Sequence, residues 1–453
     1  MEETGLRPIR IISFASAGLN GIKQLYWSFF SIFGLVYLTD VMGLDPLLAG
    51  TIIFASLIFD GLVDLPIGAA LDGIRARLPD FGSILFWSAG LTSCMLVAFF
   101  SLAAISGDRS PSLWVLISTL LAFRLCFSVF DLAENSIAAR VMTNPYDRTA
   151  FASARKVAAC LATMTLGATV GWLMADGPQQ SFRVAIVAAL MSGALFLSVW
   201  AAFQPLRHWD QMGARLEPSS LRQRVHALAQ TRAGWLLALL ALMEACATTV
   251  FISGLIQYSK SVYATPAWAG KAIIAFTLAQ ILGQPFWIWA ASRFGKLNAF
   301  AATHGATAAF AGVFMVAAGQ HALLGAFMVF CMGAAIGGVS TLRWSIIPDT
   351  IDIAAEANSM RVESGLIGLV VSAIQIGAGL SAAILGGGLS LIGYLPDTPQ
   401  EVSAQIGILL AGPIILLHVM CAVLILRNAR YLGVRASNSV NIPASSNVLG
   451  SEG

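Results

Sequence analysis

Long apolar runs follow one another along this chain, separated by short polar breaks, and many exceed the roughly 18 residues that a membrane span requires. Lipid offers a peptide group no hydrogen-bond partner, so each run must satisfy its own backbone as a helix. The charge content agrees. Only 11% of residues are charged, where a soluble domain carries about 25%. The chain therefore reads as an all-α membrane protein embedded in a lipid bilayer. Met1-Glu2-Glu3 brings no basic region ahead of a short apolar core, so no cleaved signal peptide is expected.

The runs predict twelve transmembrane helices, near 11–39, 46–70, 83–106, 112–139, 150–175, 183–205, 234–258, 267–291, 297–318, 322–347, 363–394 and 405–427. The expected organisation is a first six-helix bundle over 1–206 that holds a cation site, a basic linker over 207–233, a second bundle over 234–428, and a disordered tail over 429–453. An internal repeat supports two pseudo-symmetric halves. Pro46-Leu-Leu-Ala-Gly50 opens the second span and Pro266-Ala-Trp-Ala-Gly270 the eighth, and Pro66 is echoed by Pro285. An offset of about 220 residues at both ends of a span points to duplicated bundles around a midplane site. Lysine and arginine concentrate on one side of these spans, from Arg75, Arg77, Arg140 and Arg148 to Arg222, Arg293, Lys296, Arg361 and Arg427. The other side has little beyond Arg109, Arg183, Lys260 and Lys271. Both termini are therefore expected in the cytoplasm, and the protein is expected in the inner (cytoplasmic) membrane.

Ionisable groups inside a span are costly and mark function. Asp60 and Asp64, four residues apart in the second span, share one helix face. Two carboxylates so placed repel each other and readily share a proton or a cation. The fourth span adds Ser128 and Asp131, three apart, with Ser128 offering a neutral oxygen. Asp60, Asp64, Ser128 and Asp131 are thus the expected cation-coupling set. Arg124, in the same span, either neutralises Asp131 or Glu134 or holds an anionic part of a substrate. Lys23, midway along the first span, needs an acidic partner, with Asp60 and Asp131 as candidates, and Gln24 beside it faces substrate or bonds to a helix. Glu244 and Gln375 are the main intramembrane polar side chains of the second half.

Other residues read as structural. The six cysteines fall inside apolar segments with no CxxC pair, as packing residues do. His418 reads as packed, because no second ligand stands at metal spacing. Arg343 reads as snorkelling at the cytoplasmic end of span ten. Two cytoplasmic stretches supply charges for a gate of breakable ion pairs: Asp72, Arg75 and Arg77 after span two, and Asp349, Asp352, Arg361 and Glu363 between spans ten and eleven.

The motifs Tyr37-Leu-Thr-Asp40-Val-Met-Gly43, Asp60-Gly-Leu-Val-Asp64-Leu-Pro-Ile-Gly68, Asp131, and Pro348-Asp349-Thr-Ile-Asp352 through Arg361-Val-Glu363-Ser364 resemble those of the glycoside–pentoside–hexuronide:cation symporters. That family is the melibiose-permease branch of the major facilitator superfamily, and the resemblance extends loosely over residues 10–430. It implies the major facilitator fold, a cation site at Asp60, Asp64, Ser128 and Asp131, and sugar binding at Lys23, Asp131 and Arg155. The chain departs from the branch where Gln24 replaces an aspartate, Val63 an asparagine, Gln375 a lysine and Asn135 a sugar-stacking tryptophan. Gln24, Arg124, Glu134, Asn135 and Gln375 complete the expected substrate-binding set.

The function expected is cation symport of a small polar solute, such as a sugar, glycoside or hexuronate, by alternating access. A carrier or exporter of a lipid-like solute and a transporter-like receptor are the alternatives. An intramembrane enzyme is disfavoured, because the spans show no GxSxG, no Cys–His pair and no metal set. No cofactor, metal or nucleic acid is expected, and the protein is expected to act as a monomer. Sodium needs several oxygen ligands in place of its hydration shell, whereas a proton needs one carboxylate. Val63 removes a neutral oxygen from the second span, which favours the proton.

Overall fold

The computed structural model describes residues 3–75, 81–106, 112–141, 145–175, 177, 179–212, 231–358, 363–396 and 399–432. They form twelve long helices: α1 Glu3–Val36, α2 Pro46–Arg75, α3 Phe81–Ser106, α4 Leu113–Val141, α5 Pro145–Leu173, α6 Gln180–Met212, α7 Arg232–Tyr263, α8 Ala267–Phe294, α9 Lys296–Ala317, α10 Ala322–Asn358, α11 Glu363–Leu391 and α12 Ser403–Arg427. A π-helical turn, Tyr37–Val41, continues α1. Eleven helices, α2 to α12, are long and apolar enough to cross a membrane, and α1 completes the expected twelve. The helices outrun the apolar runs. α10 continues through Asp349 to Asn358, and α6 continues to Met212, because hydropathy reports membrane thickness and a helix can extend into water beyond it. Residues 213–230 and 433–453, most of the expected linker and tail, lie outside the described residues.

The packing repeats itself. In the first half α1 packs on α5 and α6, α3 on α4 and α6, and α2 on α4. In the second half α7 packs on α11 and α12, α9 on α10 and α12, and α8 on α10. The second pattern is the first shifted by six helices. Between the halves α2 packs on α11 and α5 on α8, two contacts that the same shift exchanges, while α1 meets α7 between them.

Glycine makes both outer crossings possible, since backbones in lipid associate by close packing rather than by exclusion of water. A methyl group on Gly50 of α2 would sit 2.5 Å from the Ala382 carbonyl oxygen and 2.9 Å from Gly386 Cα, both on α11. Its repeat equivalent, Gly270 of α8, lies against the Gly167 carbonyl of α5. Aromatic rings from α1, its π turn and α3 fill the interior of the first half, with Phe29, Tyr37 and Phe99 each against Phe100. Large apolar residues such as Trp87, Trp114, Trp200 and Leu323 stand exposed around the bundle. On a soluble monomer they would form sticky patches; here they are the lipid-facing surface.

Candidate solute and cation site

α4 is the common wall of the site. Arg124, Ser128, Asp131 and Glu134 recur every three or four residues and therefore line one stripe of the helix. At one level of that stripe, Asp60 of α2 is 1% exposed and accepts two hydrogen bonds. Ser128 Oγ donates to Oδ1 at 2.8 Å, and Arg124 Nη1 donates to Oδ2 at 3.3 Å. Arg124 is equally buried, and its guanidinium carbon lies 4.1 Å from the centre of the Phe30 ring. Its Nε and Nη2 have no hydrogen-bond partner among the described residues. Arg124 thus serves Asp60, not Asp131 or Glu134. Those two carboxylates are seven and ten residues along α4, roughly 10 and 15 Å on the axis, beyond a guanidinium's reach.

Asp64, one turn along α2, is partly buried, with the neutral side chains of Ser128 and of Gln375 on α11 beside it and the charges of Arg124 and Asp131 of α4 farther off. Ser128 has a single hydroxyl proton, so it can donate to Asp60 or to Asp64 but not to both.

At the other level Lys23 of α1 lies 2.9 Å from Asp131 Oδ1 and 2.7 Å from Glu134 Oε2. Arg155 of α5 reaches the same Glu134 oxygen at 2.8 Å. Asn20 of α1 holds Arg155 from both ends, accepting from Nη2 at 2.8 Å and donating to its carbonyl at 3.0 Å. Asn20 was not among the expected residues, although its amide three residues before Lys23 in an apolar run was a usable signal. Gln24 turns away from this cluster. It donates to Ser28, one turn on in the same helix, at 3.0 Å, and Ser28 in turn pairs with Thr163 of α5. Lys156 of α5 crosses to Gln280 of α8 at 3.4 Å.

Among the described residues, Asp60, Asp131 and Glu134 each pair with a cation, Lys23, Arg124 or Arg155, and Asp64 is the one of these four carboxylates with no cation within ion-pair distance. The side chains of Asn135, Asp72, Arg75, Asp352 and Glu363, and the whole of Arg77 and Arg361, lie outside the described residues. Of the expected gate, Asp349 pairs with Lys296 at 2.7 Å inside the second half.

The second half repeats the buried pairing with its signs exchanged. Glu244 on α7, at nearly the repeat offset from Lys23, bonds to Arg343 on α10, as Lys23 bonds to Glu134 on α4. Arg343 is buried, not snorkelling. α10 runs on for fifteen residues, about four turns, beyond it, which sets it well inside the helix. His418 packs against His304 of α9, Nδ1 to Nδ1 at 2.9 Å, both rings fully buried. One nitrogen must donate and the other accept, so the pair fixes complementary tautomers and ties α9 to α12. A narrow cavity lies between the halves, with Phe30, Ser31, Leu57, Thr249, Ser253 and Ser381 among its walls. Phe30, the ring over which Arg124 lies, is one of its lining residues.

Twelve helices in two repeated halves, with charges buried inside the membrane beside the seam between them, define a transporter of the major facilitator class. Residues 17–429 match the model of the MFS/sugar transport protein family, and the chain belongs to that family. It is similar to the glucuronide carrier protein homolog of Escherichia coli, at 24% identity over 388 residues covering 83% of each chain. Two solved structures share its fold. A mutant of the nucleoside transporter NupG superposes with a TM-score of 0.66 at 12% identity, covering 91% of this chain and 99% of that one. A peptide transporter in complex with sulfate superposes with a TM-score of 0.64 at 12% identity, covering 93% and 95%. The chain is a multi-pass membrane transporter of sugar-like solutes and not an enzyme, as its resemblance to the glycoside and hexuronide symporters implied.

Proposed function

We propose that the protein is a proton-coupled symporter of a sugar or sugar acid in the inner membrane, with Asp64 carrying the coupling proton. The observation that carries this reading is Arg124 seated on Asp60. A guanidinium fixed on that carboxylate supplies the positive charge that a bound metal cation would otherwise bring. Asp64 then stands outside the ion pairs of the described residues, beside the neutral Ser128 and Gln375 and with the opposite charges of Arg124 and Asp131 farther off, which suits a group that alternates between charged and neutral forms. When neutral it can donate to Ser128 Oγ while Ser128 donates to Asp60, so a single chain of hydrogen bonds satisfies the loaded state. Sodium would need a shell of oxygens, and Val63 and Arg124 place a methyl group and a cation there instead.

The solute would contact Lys23, Asp131, Glu134 and Arg155, two carboxylates and two cations joined in one network. A hydroxylated ring can enter such a network by exchanging hydrogen bonds without leaving a net charge. The name of the Escherichia coli relative denotes a sugar acid, and the donors of Lys23 and Arg155 suit a carboxylate. In proteoliposomes, a pH gradient alone is expected to drive accumulation of the solute when sugars, glycosides and hexuronates are screened. Asp64→Asn is expected to lose accumulation and keep solute exchange. Accumulation driven by a sodium gradient at uniform pH, and not by a pH gradient, would refute this coupling.

The one-sided distribution of lysine and arginine supports cytoplasmic termini. Cysteines introduced at Leu216 and Val440 are expected to react with impermeant reagents only from the cytoplasmic side, and labelling of either from the periplasm would reverse the orientation.

A further inference from the structure

The face of the bundle opposite the termini is held shut by groups that the solute site does not use. α1 ends there in the π turn Tyr37–Val41, a rare geometry that is frequent at functional sites. The turn carries Asp40, whose carboxylate is 2% exposed. Lys260 of α7 donates to Oδ2 at 2.9 Å, and the Tyr394 hydroxyl, beyond α11, donates to the same oxygen at 3.3 Å. Thr39 donates to Oδ1 at 2.6 Å. Both carboxylate oxygens are therefore occupied, and two of the three donors come from the second half.

Asp40 and Lys260 are 220 residues apart, the offset that relates Pro46 to Pro266 and Gly50 to Gly270. They are one position occurring once in each half. Equivalent residues that touch must straddle the pseudo-twofold axis, as residues at the centre of a symmetric dimer do. Two identical charges would repel there; the halves have diverged to opposite ones. The flanking glycine crossings, Gly50 with Gly386 and Gly270 with Gly167, lie on either side of this pair. All three contacts join the halves, so none survives their separation at this face.

A fourth group opposes them. Gln257, one turn before Lys260 and Ser261 on α7, is fully buried, and neither its nitrogen nor its oxygen has a hydrogen-bond partner among the described residues. One turn further in, Ser253 donates to the Ser31 carbonyl of α1 at 2.6 Å. A buried amide without partners destabilises the closed arrangement, and water entering as the halves part would satisfy it.

We propose that Asp40, Lys260 and Tyr394 form the latch that closes this face during transport, and that Gln257 weakens the closed state so that the latch can reopen. The test uses Thr249→Cys, in the cavity beneath the latch, as a reporter in a protein whose six native cysteines are replaced. An impermeant maleimide is added from the side opposite the termini. Asp40→Asn and Lys260→Gln are each expected to raise the labelling rate by roughly tenfold, as loss of one partner of a buried pair shifts a two-state equilibrium. The exchange Asp40→Lys with Lys260→Asp is expected to bring labelling back towards the parent rate, and Gln257→Leu to slow it. Unchanged labelling in both single variants overturns the latch, as does an exchanged pair that labels as fast as they do. Should the single variants fail to assemble, a folded and slowly labelled exchange variant upholds the pairing, and an exchange variant that also fails overturns it. The readout needs no solute, so it stands apart from the assignment of the solute site.

Discussion

Replacing Arg124 with glutamine is expected to cost about 3–5 kcal/mol of stability, the range for stranding one partner of a buried ion pair. Asp60 is buried to the same degree as Arg124 and, among the described residues, has only Ser128 besides it as a hydrogen-bond donor. Without the guanidinium, its charge stays in a region with little solvent. Asp60→Asn is expected to cost a similar amount, because Arg124 then keeps its charge with the Phe30 and Trp27 rings against it and Asp64 beyond ion-pair distance. The double variant, Arg124→Gln with Asp60→Asn, is expected to recover much of the loss, since removing both charges leaves no stranded one. The measurement is unfolding in lipid nanodiscs across the full double-mutant cycle, with a coupling of about 2 kcal/mol or more expected. Losses that simply add would mean that Arg124 acts by packing on Phe30 and that Asp60 does not need it. The same variant bears on coupling. If Arg124 stands in for a metal cation, Arg124→Gln is expected to acquire a response to sodium that the parent lacks.

The second large effect falls at a position with no charge. A methyl group on Gly270 would overlap the Gly167 carbonyl oxygen and sit 3.2 Å from Val170 Cβ. The obstacle is backbone, which cannot swing aside as a flexible side chain would. Overpacking of this kind typically costs about 1–3 kcal/mol, and here the cost falls on the closed far face alone, because Gly167 and Gly270 belong to different halves. Gly270→Ala is therefore expected to slow transport by roughly tenfold to a hundredfold. It is also expected to raise far-side labelling of the Thr249→Cys reporter, with each half still folded around its own core. Gly305→Ala on α9 serves as the control, since a methyl there meets nothing within 4 Å. If Gly270→Ala transports as fast as that control, the glycine crossing is not part of the transport cycle.

Much of the molecule was legible in the chain, and the residues show why. The twelve spans could be read because a membrane removes every alternative to a helix for a long apolar run. Asp60, Asp64, Asp131 and Lys23 stood out for the same reason, as charges where charges are expensive. The partners were less legible. Arg124 could be paired on paper with any nearby carboxylate, and the choice of Asp60 depends on the depth at which α2 meets α4. Arg343 looked terminal because the apolar run ends close to it, but α7 brings Glu244 against it and both are buried.

The sequence by itself determined the class, the number of spans and the existence of two related halves, since those follow from composition and from a repeated offset. It also held the latch in latent form, because Asp40 and Lys260 stand at the repeat offset. Nothing along the chain says that equivalent positions of the two halves touch. Only the tertiary structure decided that, along with the seating of Arg124 on Asp60 and the His304–His418 pair. The physical reason is the same each time. Spacing along a helix fixes which face a side chain occupies, while its partner is set by the rotation and depth of a second helix. That second helix is positioned by glycine crossings and packing summed over the whole bundle.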